Sequence, residues 1–348
     1  MDPLILIFLS SGLFLGWALG ANDAANVFGT AVGTKMVRWR TAAIICSIFI
    51  ILGALISGGG TTHTLGKLGA ISALPGAFMT ALSAALAVYS MTKSGLPVST
   101  SQAIVGAIIG WNLFSGNPTD VSTLTKILST WIICPVLSAI IAVTLFKLHK
   151  FTSKRIKVHM IMADAYTRLA LIIAGALGAY SLGANNIANV IGVFIPGEPL
   201  PDLQIGTFVF SSTQQLFLLG GLAIALGVWT YSKRVMMTVG NNLGRLSANA
   251  ALIAVVSHSI VLFMFASRGL EAWLAGNGLP TIPLVPVSSS QAVVGAVVGI
   301  SILQGAAGIR WSVLGKIVMG WVVTPIAACT ICFFGLFFLQ NVFGLVVQ

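Results

Sequence analysis

Gly20-Ala21-Asn22-Asp23-Ala24-Ala25-Asn26 lies inside an apolar run that extends from Leu4 to Val32. Past the chain end, Asp23 is the sole acidic residue of that run. Asn22 and Asn26 flank it, and glycines stand at 16, 20, 29 and 33. A carboxylate at membrane depth costs roughly 2.5–3.5 kcal/mol on insertion scales, which makes it a functional candidate by default. The stretch returns as Gly183-Ala184-Asn185-Asn186-Ile187-Ala188-Asn189, so it is one half of a pair.

The composition around it is that of a membrane protein. Of 348 residues, 57% are hydrophobic and 7% are charged, against about 25% charged in ordinary soluble domains. Long apolar runs recur throughout and do not alternate, which points to membrane-spanning helices and excludes a closed barrel. The net charge of +11 does not indicate nucleic acid, because the basic residues sit between apolar runs, where topology determinants belong. No basic segment precedes the first apolar run, so it reads as a mature helix and not a signal peptide. The four cysteines all lie in apolar runs. Cys329 and Cys332 have no His or further Cys nearby and read as packing residues.

A second motif also recurs. Pro97-Val98-Ser99-Thr100-Ser101-Gln102 matches Pro286-Val287-Ser288-Ser289-Ser290-Gln291, and the Trp131/Pro135 pair is echoed by Trp321/Pro325. Three blocks in the same order make an internal repeat, with about 26 extra residues in the second half. We place these within Lys233–Pro283. Lys147, Lys150, Lys154, Arg155 and Lys157 form the one dense basic segment, which the positive-inside rule assigns to the cytoplasm. Nothing basic precedes Lys35 and nothing charged follows Lys316, so both termini are expected outside. Each half then crosses an odd number of times, and the halves run in opposite directions.

Ser and Thr after a proline are good helix starts. The apolar runs behind them, Ala103–Phe114 and Ala292–Leu303, are too short to span a bilayer and read as re-entrant half-helices. Two helix N-termini at the midplane offer N–H donors, hydroxyls and glutamines to one small oxyanion. The Gly/Asn stretches are expected to unwind locally, so that Asn and Asp oxygens with freed carbonyls suit Na⁺ or H⁺ coupling. No Lys or Arg lies in either motif block, so an anion held there depends on a co-bound cation. His258, between Ser257 and Ser259, reads as a hydrogen-bonded packing residue ahead of a proton relay. No ATPase or hydrolase motif is present. The expectation is a transporter and not an enzyme, with no cofactor.

The paired motifs resemble those of the PiT family of inorganic phosphate transporters, most of all its compact bacterial members, which are similar to sodium-dependent symporters. The resemblance implies import of inorganic phosphate coupled to sodium by alternating access, with proton coupling or a sulfate permease as the alternative and a passive anion channel behind them. By position, Thr100, Ser101, Gln102, Ser289, Ser290 and Gln291 would contact phosphate. Asn22, Asp23, Asn26, Asn185, Asn186 and Asn189 would supply sodium and substrate ligands. Many family members carry Asp in both Gly/Asn motifs, whereas position 186 here is Asn, which leaves the coupling ion open.

The fold expected is an all-α polytopic membrane protein with about 10–12 membrane segments in two inverted-topology repeats, with broken helices and re-entrant half-helices. Residues 1–146 form the first repeat, 147–166 a cytoplasmic basic linker with its loop at 147–157, and 167–348 the second repeat. The expected setting is the cell (inner) membrane. The expected partners are phosphate, sodium, the lipid bilayer and, as the candidate assembly, a second copy in a homodimer.

Overall fold

The computed structural model describes residues 3–93, 98–155, 159–197, 199–206, 208–242, 246–306 and 309–348. In the first half, α1 (Pro3–Gly33), α2 (Trp39–Ser57), α3 (Gly59–Gly69), α4 (Leu74–Lys93), α5 (Thr100–Ser115) and α6 (Val121–Arg155) follow one another. The second half begins with α7 (Met160–Ile191). A 3-10 turn and a small hairpin of β1 (Leu203–Ile205) and β2 (Phe208–Phe210) come next. Helices α8 (Ser212–Thr230), α9 (Ser232–Asn242), α10 (Ala248–Met264), α11 (Arg268–Gly276), α12 (Ser289–Leu303) and α13 (Trp311–Phe343) complete the chain.

Among the described residues, seven helices are long and apolar enough to cross a membrane, or eight if α10 and α11, bent by 67°, count as one span. The short α5 and α12 bring the apolar segments to the lower bound of the expected range. The chain is a multi-pass membrane protein. Its outward faces are apolar, as on α6 (Ile132, Val136, Ile140) and α13 (Val322, Ile326), and lipid satisfies such faces as water cannot.

The helices pack as a central group and two flanking groups. Helices α1, α2, α7 and α8 pack on one another at the centre. On one side, α4 and α5 pack with α13; on the other, α10 and α12 pack with α6. Each flanking group therefore takes one helix from the opposite half of the sequence. Glycines permit the approach. A methyl group on Gly106 of α5 would stand 2.2 Å from the Pro325 carbonyl oxygen of α13, and one on Gly295 of α12 would stand 2.2 Å from that of Pro135 on α6. The partners of these glycines are the Trp/Pro blocks of α13 and α6.

The structure departs from expectation at three places. First, α1 and α7 run unbroken through Gly20–Asn26 and Gly183–Asn189. A helix satisfies its own backbone, and the one glycine of each stretch costs only about 1 kcal/mol against alanine, less than exposing carbonyls in an apolar interior. The broken helix is instead α10–α11. Second, the basic segment is no loop up to Arg155, because Lys147, Lys150, Lys154 and Arg155 lie on the last turns of α6. It holds neither Gly nor Pro, and cations favour a helix C-terminus; the Arg155 guanidinium also sits 4.1 Å over the Phe151 ring. Lys157 lies outside the described residues. Third, the extra length of the second half is divided: α11 and the extended chain from it to Ser289 fall largely within Lys233–Pro283 as expected, whereas the 3-10 turn and hairpin between Ile191 of α7 and Ser212 of α8, where a short link joins Gly33 of α1 to Trp39 of α2, lie before it.

Candidate functional site

Ser99 and Ser288 start the two short helices. Each side chain accepts the backbone N–H three residues on, from Gln102 and Gln291 respectively, at 3.2 Å. Both caps are themselves extended, as the Ser/Thr motifs predict, and Pro97 lies outside the described residues. The two N-termini meet near the centre, where the Ser101 hydroxyl donates to the Val287 carbonyl at 3.0 Å. From there the helices diverge. The far end of α5 is tied by Asn112 to Leu68 and Thr119, beside the start of α6, whereas the far end of α12 (Leu303, Gln304) borders the same cavity as Lys147 and Lys150 at the other end of α6. A helix of 35 residues is about 52 Å long, so the short helices point to opposite faces of the molecule.

The Asn stretches of α1 and α7 lie between these N-termini. All twelve expected site residues are buried, none more than 2% exposed. One hydrogen-bonded path joins seven of them. Asn189 donates to Ser101 Oγ (2.9 Å) and to Asn186 Oδ1 (3.1 Å). Asn186 donates to Asp23 Oδ2 (3.4 Å), while Asn22 (2.7 Å) and Asn26 (3.4 Å) donate to Asp23 Oδ1. Asn26 reaches Ser289 Oγ at 3.1 Å. The path thus runs from α5 to α12 with the Asp23 carboxylate in its middle. Among the described residues the one ion pair is the surface contact of Arg168 with Asp164, so amides alone hold the Asp23 charge.

The asparagines also fix the chain that feeds each short helix. Asn22 donates to Val98 O at 3.1 Å. Asn185 accepts from Val287 N at 2.9 Å and donates to Val285 O at 3.4 Å, and its own carbonyl receives Thr61. Asn185 is thus a positioner of backbone, Asn26, Asn186 and Asn189 serve the carboxylate path, and Asn22 does both. Removing Asn185 leaves a buried N–H without an acceptor, at a cost of about 1–3 kcal/mol. Asn185→Ala should lower the unfolding midpoint in detergent; an unchanged midpoint would mean that this side chain does not hold the Val285–Val287 segment.

Several buried oxygens are left over. Thr100 Oγ1, Gln102 Oε1, Asn189 Oδ1 and Gln291 Oε1 have no hydrogen-bond partner. Ser290 is turned to Ser288, at 3.1 Å, and contacts no asparagine. Buried polar atoms are rarely unpaired, and oxygens that lack donors are what a bare cation or a protonated oxyanion satisfies. His258 joins the site in a way that its sequence context hides. Its Nε2 lies 2.9 Å from Ser289 Oγ, whereas Ser257 and Ser259 bond carbonyls of their own helix. The signal that could have found it is the one that found Asp23, a lone titratable side chain in an apolar run.

Similarity to known proteins agrees with this geometry. Residues 19–332 match the model of the phosphate transporter family. The chain belongs to that family. It is a transporter, not an enzyme. A Methanocaldococcus jannaschii protein that carries a phosphate-permease name is 29% identical, over 92% of this chain and 93% of its own length. The sulfate permease CysP of Bacillus subtilis is 27% identical, over 92% of this chain and 84% of its own. A solved structure described as a sodium-dependent phosphate transporter shares the fold, with a TM-score of 0.77, 21% identity and coverage of 97% of this chain and 99% of that one.

Proposed function

We propose that this transporter imports inorganic phosphate together with sodium, by alternating access at the site between α5 and α12. The observation that carries the reading is Asp23, the single buried carboxylate among the described residues, held by amides alone on the path between the N-termini of two diverging helices. Each N-terminus contributes about half a positive charge, which favours an oxyanion. Asp23 opposes that oxyanion unless a cation accompanies it, so anion and cation bind together. The unpaired buried oxygens suit a hard monovalent ion. The sodium-dependent transporter of similar fold supports the same choice over protons.

In this reading the halves are inverted repeats, Thr100, Ser101, Gln102, Ser289, Ser290 and Gln291 face phosphate, and the basic end of α6 is cytoplasmic with both termini outside the cell membrane. The outer helices serve as a scaffold that a second copy can pair with, as a homodimer.

Sulfate is the second reading, favoured by the similarity to a sulfate permease. Phosphate near neutral pH carries a proton that can be donated to Asp23, and sulfate has none to donate. A site with a buried acceptor selects strongly against a ligand that cannot pair with it. Labelled phosphate uptake into proteoliposomes should therefore require an inward sodium gradient and persist in excess sulfate. Uptake driven by a pH gradient in sodium-free buffer would replace sodium by protons. Strong competition by sulfate would overturn the substrate assignment, and flux without any gradient would favour a channel.

A further inference from the structure

Beside the site, a cavity of ≈ 720 Å³ opens near the N-terminal end of α6. Its wall comes from three separate helices and is basic: His63 and Lys67 from α3, Lys126 from α6 and Arg268 from α11, against the single acid Glu271. Its floor is the extended chain ending at Val285, whose carbonyl is held by Asn185. Thr64 on α3 closes that floor with a bond to the Leu284 carbonyl at 2.5 Å. The cavity is thus one residue removed from the buried network. The basic hollow at the other end of α6 differs, because its lining includes no residue of the buried network or of the chain that feeds it.

The cavity wall is held in place. Arg268 donates to the Gly59 carbonyl. A methyl on Gly60 would stand 2.6 Å from the Ala266 carbonyl oxygen, so the glycines after α2 let α3 seat against the α10–α11 elbow. Both α11 and the chain after it belong to the extra residues of the second half, and they complete the basic ring.

We propose that this cavity is an anion-collecting vestibule, a low-affinity site where phosphate gathers with its hydration water before passing the Thr64–Leu284 closure to the buried site. The inference rests on the phosphate reading above. The cavity is many times the size of one tetrahedral oxyanion, so it selects by charge and not by fit. Charge-lined clefts raise the local concentration of an oppositely charged ligand by about 10-fold or more at low salt and lose that effect as salt rises.

The vestibule can be read without transport. Glu271→Cys places a reporter thiol in the wall. The natural cysteines are buried or half-buried, and Cys329→Ala removes the most accessible of them. An anionic methanethiosulfonate reagent should label this thiol in nanodiscs, and millimolar phosphate should slow labelling several-fold more than chloride at equal ionic strength. Adding Lys67→Gln and Lys126→Gln should remove the protection. In proteoliposomes, the Lys67→Gln/Lys126→Gln protein should show KM raised about 3–10-fold, Vmax unchanged and a flattened salt dependence. Equal slowing by phosphate and chloride would overturn the vestibule, and so would a KM and salt dependence like those of the parent. Protection without any phosphate uptake by the parent protein would instead overturn the phosphate-transport reading and leave the vestibule standing.

Discussion

Asp23→Asn is expected to abolish sodium-driven phosphate uptake, by at least about 100-fold, while the protein still folds. A loss of that size corresponds to about 2.7 kcal/mol, which is modest for a charge that three amides and no cation hold. The substitution keeps the shape and one acceptor oxygen. It removes the charge that a coupled cation must neutralise, and it turns one acceptor into a donor facing either the donor of Asn186 or those of Asn22 and Asn26. Relief of a buried charge offsets that mismatch, since isolated charges are costly to bury. The unfolding midpoint in detergent should therefore stay near that of the parent. A well-folded Asp23→Asn protein with near-normal sodium-driven uptake would remove the carboxylate from the coupling site. The converse change, Asn186→Asp, would set two carboxylates where the amide now reaches Asp23 at 3.4 Å; like charges so close cannot both ionise freely, so such a pair demands a further proton or cation.

The second large effect is expected from Gly20→Ala and Gly183→Ala. A methyl at Gly20 would stand 1.9 Å from the Ile224 carbonyl oxygen of α8, and one at Gly183 would stand 2.1 Å from the Ile50 carbonyl oxygen of α2. Ordinary contact begins at 3.4 Å, and neither neighbour is a flexible side chain that could turn aside. The helices must separate, as in overpacked cores, at a cost of about 1–3 kcal/mol. Gly20 lies two residues before Asn22, so the shift also carries Asn22 and Asp23 away from α5 and α12. Thermal unfolding and uptake should both fall, and the pair together should fall further than either alone. Gly66→Ala is the control: nothing lies within 4 Å of its would-be methyl, and alanine is the better helix former by about 1 kcal/mol. Equal behaviour of Gly20→Ala and Gly66→Ala would mean that the close approach of α1 and α8 is dispensable.

Much of this arrangement was legible in the chain. Duplication of the Gly/Asn and Ser/Thr blocks picked out residues that the fold brings together, and the short apolar runs after Gln102 and Gln291 located the short helices α5 and α12. Both signals are local and both survive folding. What the sequence hid depends on helices that meet from afar. Unwinding at Gly20 was a reasonable inference from glycine and asparagine together, but the contact that requires Gly20 lies on α8, about 200 residues away, where no spacing rule reaches. His258 reads from sequence as a hydrogen-bonded packing residue, and its hydrogen-bond partner is hidden for the same reason, since Ser289 approaches it only through the packing of α10 on α12. Charge density at the basic end of α6 points to a loop only when helix propensity is ignored. Lysine and arginine are good helix formers, and a long helix simply carries them beyond the bilayer.

The exchange of α6 and α13 between the flanking groups means that the seam between the two repeats is not a seam of the folded body. The chain crosses from one flanking group to the other after α5 and again after α12, near Gly116 (φ +72°) and Gly305 (φ +93°). A fragment that stopped at Arg155 would present α6 with neither α10 nor α12 to grip it, and α5 with its glycine face bare. Like the two parts of a clasp, the halves acquire their form in closing, so during biogenesis the first must wait in the membrane for the second to arrive.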